Sequence, residues 1–260
     1  MDIIVSIKQV PDTTEVRIDP VTNTLVREGV PTIINPFDEN AIEEGLRLRE
    51  KHGGKVTVIT MGPPQAEQAL RDALAMGVDD VILISDRKFA GADTWATSYT
   101  LAQAIRKIGK YDILLFGKQA IDGDTAQVGP GVAEQLDIPQ VAYVKKIEVE
   151  GEQARVERVM EDGYEVVELK LPALFTLVKE INEPRFPSLK GKLMAKKREI
   201  PVWKVEDIDT DLNKIGLDGS PTKVIRTFTP SPRGKGEVFK GTVEEQVNSL
   251  LERLQEIKLV

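Results

Sequence analysis

The sequence predicts an α/β protein built on a doubly wound, mostly parallel three-layer α/β/α sheet, with an antiparallel extension and a C-terminal arm. Three observations predict it. Short apolar runs alternate with stretches of three-and-four periodicity through the first half of the chain, the signature of repeated βαβ units. From about residue 141 the periodicity shortens to two, as in antiparallel strands with one wet face. Residues 182–241 then hold six of the fifteen prolines with little periodicity, too little to bury a core of their own.

In chain order, the apolar runs are "IIVSI" (3–7), "KVTVITM" (55–61), "DVILIS" (80–85) and "DILLFG" (112–117). Helices are expected between and after them at 37–52, 65–77, 94–108 and 124–136, although proline's preference for the first helical position would start the last one at Pro130. In the second, Ala66, Ala69, Leu70, Ala73 and Leu74 form one stripe and Gly77 is a stop signal. In the third, Leu101, Ile105 and Ile108 do the same before Gly109. Residues 141–178 read as strands joined by turns at Glu150–Glu152 and Glu161–Gly163. The chain closes on "GTVEEQVNSLLERLQEIKLV", in which Thr242 and Glu245 make a capping box and Val243, Val247, Leu250, Leu254 and Ile257 share one face. The expected divisions are 1–181, an α/β domain; 182–241, an extended arm; and 242–260, an amphipathic helix. That helix folds back on its own sheet or packs on another chain, and composition leaves both open.

Composition narrows the function. A hydrophobic content of 41% over 260 residues is enough for a sizeable core. The net charge of −7 argues against general nucleic-acid or anionic-membrane binding, which need a positive field. With no Cys and a single His, His52, the chain has no disulfide, no thiolate nucleophile, no Cys-ligated cluster and no multi-His metal site. Redox chemistry, if present, comes from an organic cofactor. No run approaches the 18 apolar residues of a membrane span, and "MDIIVSIKQV" lacks a basic leader, so the expected location is cytoplasmic.

In an open parallel sheet, ligands sit beyond the carboxyl ends of the strands, where helix N-termini offer free N–H groups. Four exits qualify: "IKQVPD" (7–12), "ITMGPP" (59–64), "SDRKFAGADTWATS" (85–98) and "GKQAIDGDTAQVGPG" (117–131). In the third, Asp93 or Thr94 is the expected cap. None matches a G-x-G-x-x-G or P-loop pattern. The fourth reads as an ordinary βα loop, or as a nucleotide site. For the second reading, Lys118, Gln119, Thr125 and Gln127 supply more donors than a turn needs, and Asp122 and Asp124 suit ribose hydroxyls or a helix cap. His52, before Gly53–Gly54, reads as a helix C-terminal cap, and Glu161, Asp162 and Glu165 as a solvated turn or a paired-carboxylate site. The basic run 190–198 suits phosphate or a protein partner equally.

Six segments together resemble the beta subunit of electron transfer flavoproteins: "VSIKQVPD", "INPFDENAIEEGLRLRE" (34–50), "ALAMGVDD" (73–80), "LLFGKQAIDGDTAQVG" (114–129), "VERVMEDGYEVVELKLPAL" (156–174) and "NEPRFPSLKGKLMAKKREI" (182–200). The fifth nearly reproduces the family signature, with Phe175 following it where an aliphatic residue is usual. The resemblance implies an adenine-nucleotide-binding fold and a heterodimer with an alpha subunit that carries a redox FAD and is wrapped by the arm. It implies nucleotide contacts at Ser6, Asn35, Pro36, Phe37, Asp38 and Met61, and along Gly117, Lys118, Gln119, Ala120, Ile121, Asp122, Gly123, Asp124, Thr125, Ala126, Gln127 and Val128. Leu189 looks like the anchor of a loop that docks on acyl-CoA dehydrogenase-type partners, and Glu165 matches an acid at the subunit interface.

Within the family the beta site takes AMP in the housekeeping type and FAD in the electron-bifurcating type. The loop carrying Asp93, Thr94 and Thr97 resembles the bifurcating type, and Thr94, Thr97 and Ser98 at a helix start would add donors for a diphosphate. That likeness implies FAD, NADH as electron donor, and ferredoxin or flavodoxin as a low-potential acceptor. No side chain need serve as a catalytic acid or base.

Overall fold

The computed structural model describes residues 1–12, 31–226 and 236–260. Part of the expected arm, 227–235, lies outside the described residues. Contacts divide the chain into two units, Met1–Val224 and Ile225–Val260.

The first unit is organised by a nine-stranded sheet. Its strands are β1 (Asp2–Ile7), β4 (Lys55–Met61), β5 (Asp80–Ile84), β6 (Ile113–Gly117), β7 (Gln140–Glu150), β8 (Gln153–Met160), β9 (Gly163–Lys170), β10 (Ala173–Leu177) and β11 (Val202–Trp203). Their spatial order is β11-β5-β4-β1-β6-β10-β7-β8-β9. All neighbours from β11 to β7 run parallel, and β8 and β9 continue as an antiparallel ribbon. A two-stranded antiparallel pair, β2 (Gln9–Pro11) and β3 (Thr32–Ile34), stands beyond the end of β1.

Alternation along the strands divides the core into two layers. Ile3, Val5 and Ile7 face α1 (Pro36–His52) and α2 (Glu67–Met76), where Ile42, Leu46, Leu70 and Ala73 are buried. Ile4, Ile59, Leu114 and Phe116 face the opposite way, against α3 (Thr94–Ile108) and α4 (Val128–Leu136). The fold class is the expected one. The chain steps from β1 through β4 to β5 on one side, then crosses by α3 to β6 on the other. This reversal opens a crevice between the carboxyl ends of β1 and β6, the usual ligand position in such sheets.

Three local expectations change. Strand β10, read among the antiparallel strands of 141–178, lies parallel between β6 and β7, with both faces buried in the two core layers. The helix expected over 124–136 begins at Val128, because Asp124 (φ 48°) and Ala126 (φ 53°) adopt left-handed backbone that no helix continues. Pro130 then occupies the third helical position, where the missing N–H is one of the four that lack an intrahelical partner anyway. Within the segment read as extended, α5 (Leu189–Lys197) lies against α2. The Arg71 guanidinium reaches the Ala195 carbonyl at 2.6 Å there, and the contact is close enough that Gly191 faces the Ala75 carbonyl directly. Strand β11 follows on the edge of β5, and the next residues run along α3, burying Ile208 and Ile215. The Tyr99 hydroxyl accepts from the Asp211 amide at 3.0 Å.

In the second unit, α6 (Val243–Glu256) carries the predicted capping box. The Thr242 hydroxyl accepts from the Glu245 amide, and the Glu245 carboxylate from the Thr242 amide at 2.7 Å.

Candidate functional site

Asp38, at the third position of α1, holds the crevice together. Its Oδ2 accepts from the Lys8 amide at 2.7 Å and its Oδ1 from the Gly117 amide at 3.0 Å. The ends of β1 and β6 are thus pinned to one helix start. Gly117 has no side chain because a Cβ there would run into Asp38 and Phe37. Burial pushes the Asp38 carboxyl up to about 7, against the opposing pull of the Lys8 and Gly117 amides and the Asn35 side chain.

Asn35 precedes α1 yet does not cap it. Its amide group instead holds the loop after β6: Nδ2 donates to the Gln119 carbonyl at 2.8 Å, and Oδ1 accepts from the Ile121 amide at 3.1 Å. Pro36 and Phe37 follow as the first two helical residues, the position proline tolerates best. The structure therefore brings Asn35–Asp38 to the same place as Gly117–Ile121, a grouping that strand-exit reasoning did not reach.

The acids of the loop are engaged by their neighbours. Lys8 Nζ pairs with Asp122 Oδ1 at 2.6 Å, and Gln119 Nε2 donates to Asp124 Oδ1 at 2.7 Å. Partnered in this way, they repel an approaching phosphate less than free carboxylates would. Ala120 closes the turn by accepting from the Gly123 and Asp124 amides at 3.3 and 2.8 Å. Beyond it, the Thr125, Ala126, Gln127 and Val128 amides have no backbone acceptor among the described residues; the start of α4 accounts for the last two, while Thr125 and Ala126 belong to the loop before it. Thr125 and Gln127 are exposed.

The start of α3 adjoins this loop. Thr94 Oγ1 lies 3.2 Å from Gln127 Oε1, and Ser98 Oγ donates to the Thr94 carbonyl at 2.7 Å and the Val128 carbonyl at 3.2 Å. Gly131 makes this closeness possible, since a Cβ there would stand 2.5 Å from Ser98 Oγ. Of the two expected caps, Asp93 takes the role. Its Oδ1 accepts from the Ala96 amide at 3.0 Å, while Oδ2 accepts from the Thr222 amide and hydroxyl at 2.9 and 2.8 Å. Thr97 is half-buried on the next turn.

Ser6 is buried in β1 beneath the crevice and Met61 ends β4 on its flank. Sequence reasoning did not single out Lys8 or Tyr143. Lys8 is recognisable as a base just past a strand end, opposite an acid-bearing loop. Tyr143 has φ 62° at a bulge in β7 and stands 5.2 Å from Lys118 Nζ, which also lies 6.0 Å from the Phe37 ring; no local pattern marks it. Glu165 and Leu189 lie elsewhere: Glu165 on the exposed β9 ribbon, 3.7 Å from Arg158, and Leu189 at the exposed first position of α5. His52 is the last residue of α1, and the cap expected of it falls to Gly53, whose amide donates to the Arg49 carbonyl at 2.8 Å. No cluster of His, Cys, Asp or Glu suited to a metal ion occurs among the described residues.

The arrangement offers clustered amides and hydroxyls beside partnered carboxylates, which matches the phosphate and ribose of a nucleotide. Comparison with known proteins adds to this geometry. The family model described as "Electron transfer flavoprotein domain" matches residues 22–208. The electron transfer flavoprotein subunit beta of Thermoanaerobacterium thermosaccharolyticum is 61% identical, with 98% of each chain covered. The caffeyl-CoA reductase-Etf complex subunit CarD of Acetobacterium woodii is 52% identical over all of both chains. Protein FixA of Azorhizobium caulinodans is 51% identical over 90% of this chain and 86% of its own.

Proposed function

The chain belongs to the electron transfer flavoprotein family as a beta subunit, and from that premise we propose that it is of the electron-bifurcating type, with FAD in the crevice between β1 and β6. As a beta subunit it forms a heterodimer with an alpha subunit. When bound, FAD would supply hydride acceptance from NADH and one-electron delivery to ferredoxin or flavodoxin and, through the alpha-subunit FAD, to an acyl-CoA dehydrogenase-type partner. No helix among the described residues is long and apolar enough to cross a membrane.

The observation that carries this reading is the junction of Thr94 with Gln127 and of Ser98 with Val128. It sets the Thr94 hydroxyl, which donates to Gln127, beside the Thr125–Val128 amides, so that a second phosphate displacing Gln127 would find a donor that AMP does not call on. In this reading Asn35 and Asp38 hold the loop and strand ends in register and the Thr125–Val128 amides bind phosphate. Thr94 and Thr97 extend the phosphate site, and Asp122 and Asp124 present oxygens to ribose. The protein binds and orients; none of these groups moves a proton in the reaction.

Flavin counting tests it. The purified heterodimer is expected to release two flavins on denaturation, measured by absorbance, and to bleach with NADH. One flavin together with released AMP would return the protein to the housekeeping type.

A further inference from the structure

Arg185 lies between the sheet and α5, and two carboxylates of α1 hold it. Its Nε donates to Glu43 Oε2 at 2.7 Å and its Nη2 to Glu43 Oε1 at 3.1 Å, while Nη1 and Nη2 donate to the Glu50 oxygens at 2.5 and 3.2 Å. Its own backbone amide adds a third bond to Glu43, at 3.1 Å. Glu43 and Glu50 are seven residues apart, two turns on one face of the helix, so a planar fork can span both. Glu43 is only 3% exposed, which places the inner half of the clamp out of water.

The same stretch is fixed upstream. Asn182 Nδ2 donates to the Asn40 carbonyl at 3.0 Å and to Glu44 at 3.1 Å, and Asn40 Nδ2 returns a bond to the Asn182 carbonyl at 2.8 Å. Pro184 and Pro187 restrict the backbone on either side of Arg185. Directly beyond this anchored stretch, Phe186 and Leu189 are 96% and 76% exposed. An irregular segment tied this tightly, ending in two apolar side chains held in water, has the build of a preorganised contact.

We propose that Arg185, pinned between Glu43 and Glu50, is the positioning residue that aims Phe186 and Leu189 at the dehydrogenase partner. The proposal rests on the reading of Leu189 as a docking anchor. It goes beyond that reading in assigning the aim to α1, the helix whose start also holds the crevice.

The test uses the chemically reduced heterodimer, reoxidised by a purified acyl-CoA dehydrogenase with its enoyl-CoA substrate, in Arg185→Lys, Glu50→Gln and Leu189→Ala variants. Arg185→Lys keeps the charge and loses the fork; Glu50→Gln loosens only the outer, exposed arm. Both are expected to raise the half-saturating dehydrogenase concentration about fivefold or more, leaving the maximal rate and flavin content close to wild type; the melting temperature holds for Glu50→Gln and falls for Arg185→Lys, which removes a bond from the buried Glu43 carboxylate. A rise for Leu189→Ala with none for Arg185→Lys and Glu50→Gln would overturn the proposal alone. No rise for any of the three would overturn the docking reading and the proposal with it. Loss of maximal rate or flavin in Arg185→Lys and Glu50→Gln would make the clamp merely structural, which also overturns it.

Discussion

Asp38 shows how one buried carboxyl can organise a site and leave a mark on stability. Its two oxygens take the Lys8 and Gly117 amides, so truncation to Ala would strand two donors, each costing about 1–3 kcal/mol. The carboxyl itself is raised by burial from 3.8 to about 7. A folded-state value above the unfolded one means a contribution to stability fully present below the unfolded value and lost as pH rises through the folded one. Asp38→Asn cannot ionise and so lacks this dependence. Urea midpoints of both proteins between pH 4 and 8 should therefore show the variant gaining on wild type up to about pH 7 and then holding level. A difference that stays constant over the range would mean the carboxyl ionises as an exposed one does.

At the scale of elements, the junction of α3 with α4 depends on a missing side chain. Gly131 faces Ser98, and Gly131→Ala would set a Cβ 2.5 Å from the hydroxyl oxygen and 3.0 Å from Ser98 Cβ. Overpacking of this kind costs about 1–3 kcal/mol. Ser98→Ala removes the nearer clash, so the double variant should recover part of the loss, a coupling that thermal melts of the four proteins would resolve. Additive effects would place the strain elsewhere.

These elements also mark what sequence alone could give. The parallel strands β1, β4, β5 and β6 were legible because each reads as a continuous apolar run, and α3 because a three-and-four stripe ends at Gly109, whereas β10 was read with the antiparallel strands and β11 with the extended arm. The start of α4 was legible only in part: the proline rule put it at Pro130, near the observed Val128, and the start at Asp124 failed. The left-handed backbone at Asp124 and Ala126 follows from how Asn35 and Gln119 hold the loop, which is a tertiary fact. Helix α5 was hidden for a related reason: it buries chiefly Ala195 and presents its larger apolar residues to solvent, so its sequence lacks a core-facing stripe. In the crevice, the strand exits themselves were visible from turn chemistry. The Asn35–Asp38 group returns to them through the pairing of β3 with β2, and resemblance, not local pattern, placed it there.

Over the whole molecule, the apolar surface left in water lies largely outside the α/β core. In the second unit Val243, Val247, Leu250, Leu251 and Ile257 are all between 46% and 79% exposed, on a helix whose N-terminus is fully capped. An isolated helix of 14 residues is marginal in water, and the α6 stripe gains its stability by covering another surface. In a heterodimeric family the expected surface is that of the alpha subunit. The two core layers draw only on residues of the first unit, Met1–Val224, so removing residues 242–260 deletes no residue of that core. The truncated chain is therefore expected to fold, with circular dichroism and a cooperative melt close to the intact subunit, while losing co-purification with a tagged alpha subunit. Retention of the alpha subunit at wild-type yield would refute the partner-packing role of α6. Loss of the cooperative melt would show instead that the helix folds back on its own sheet.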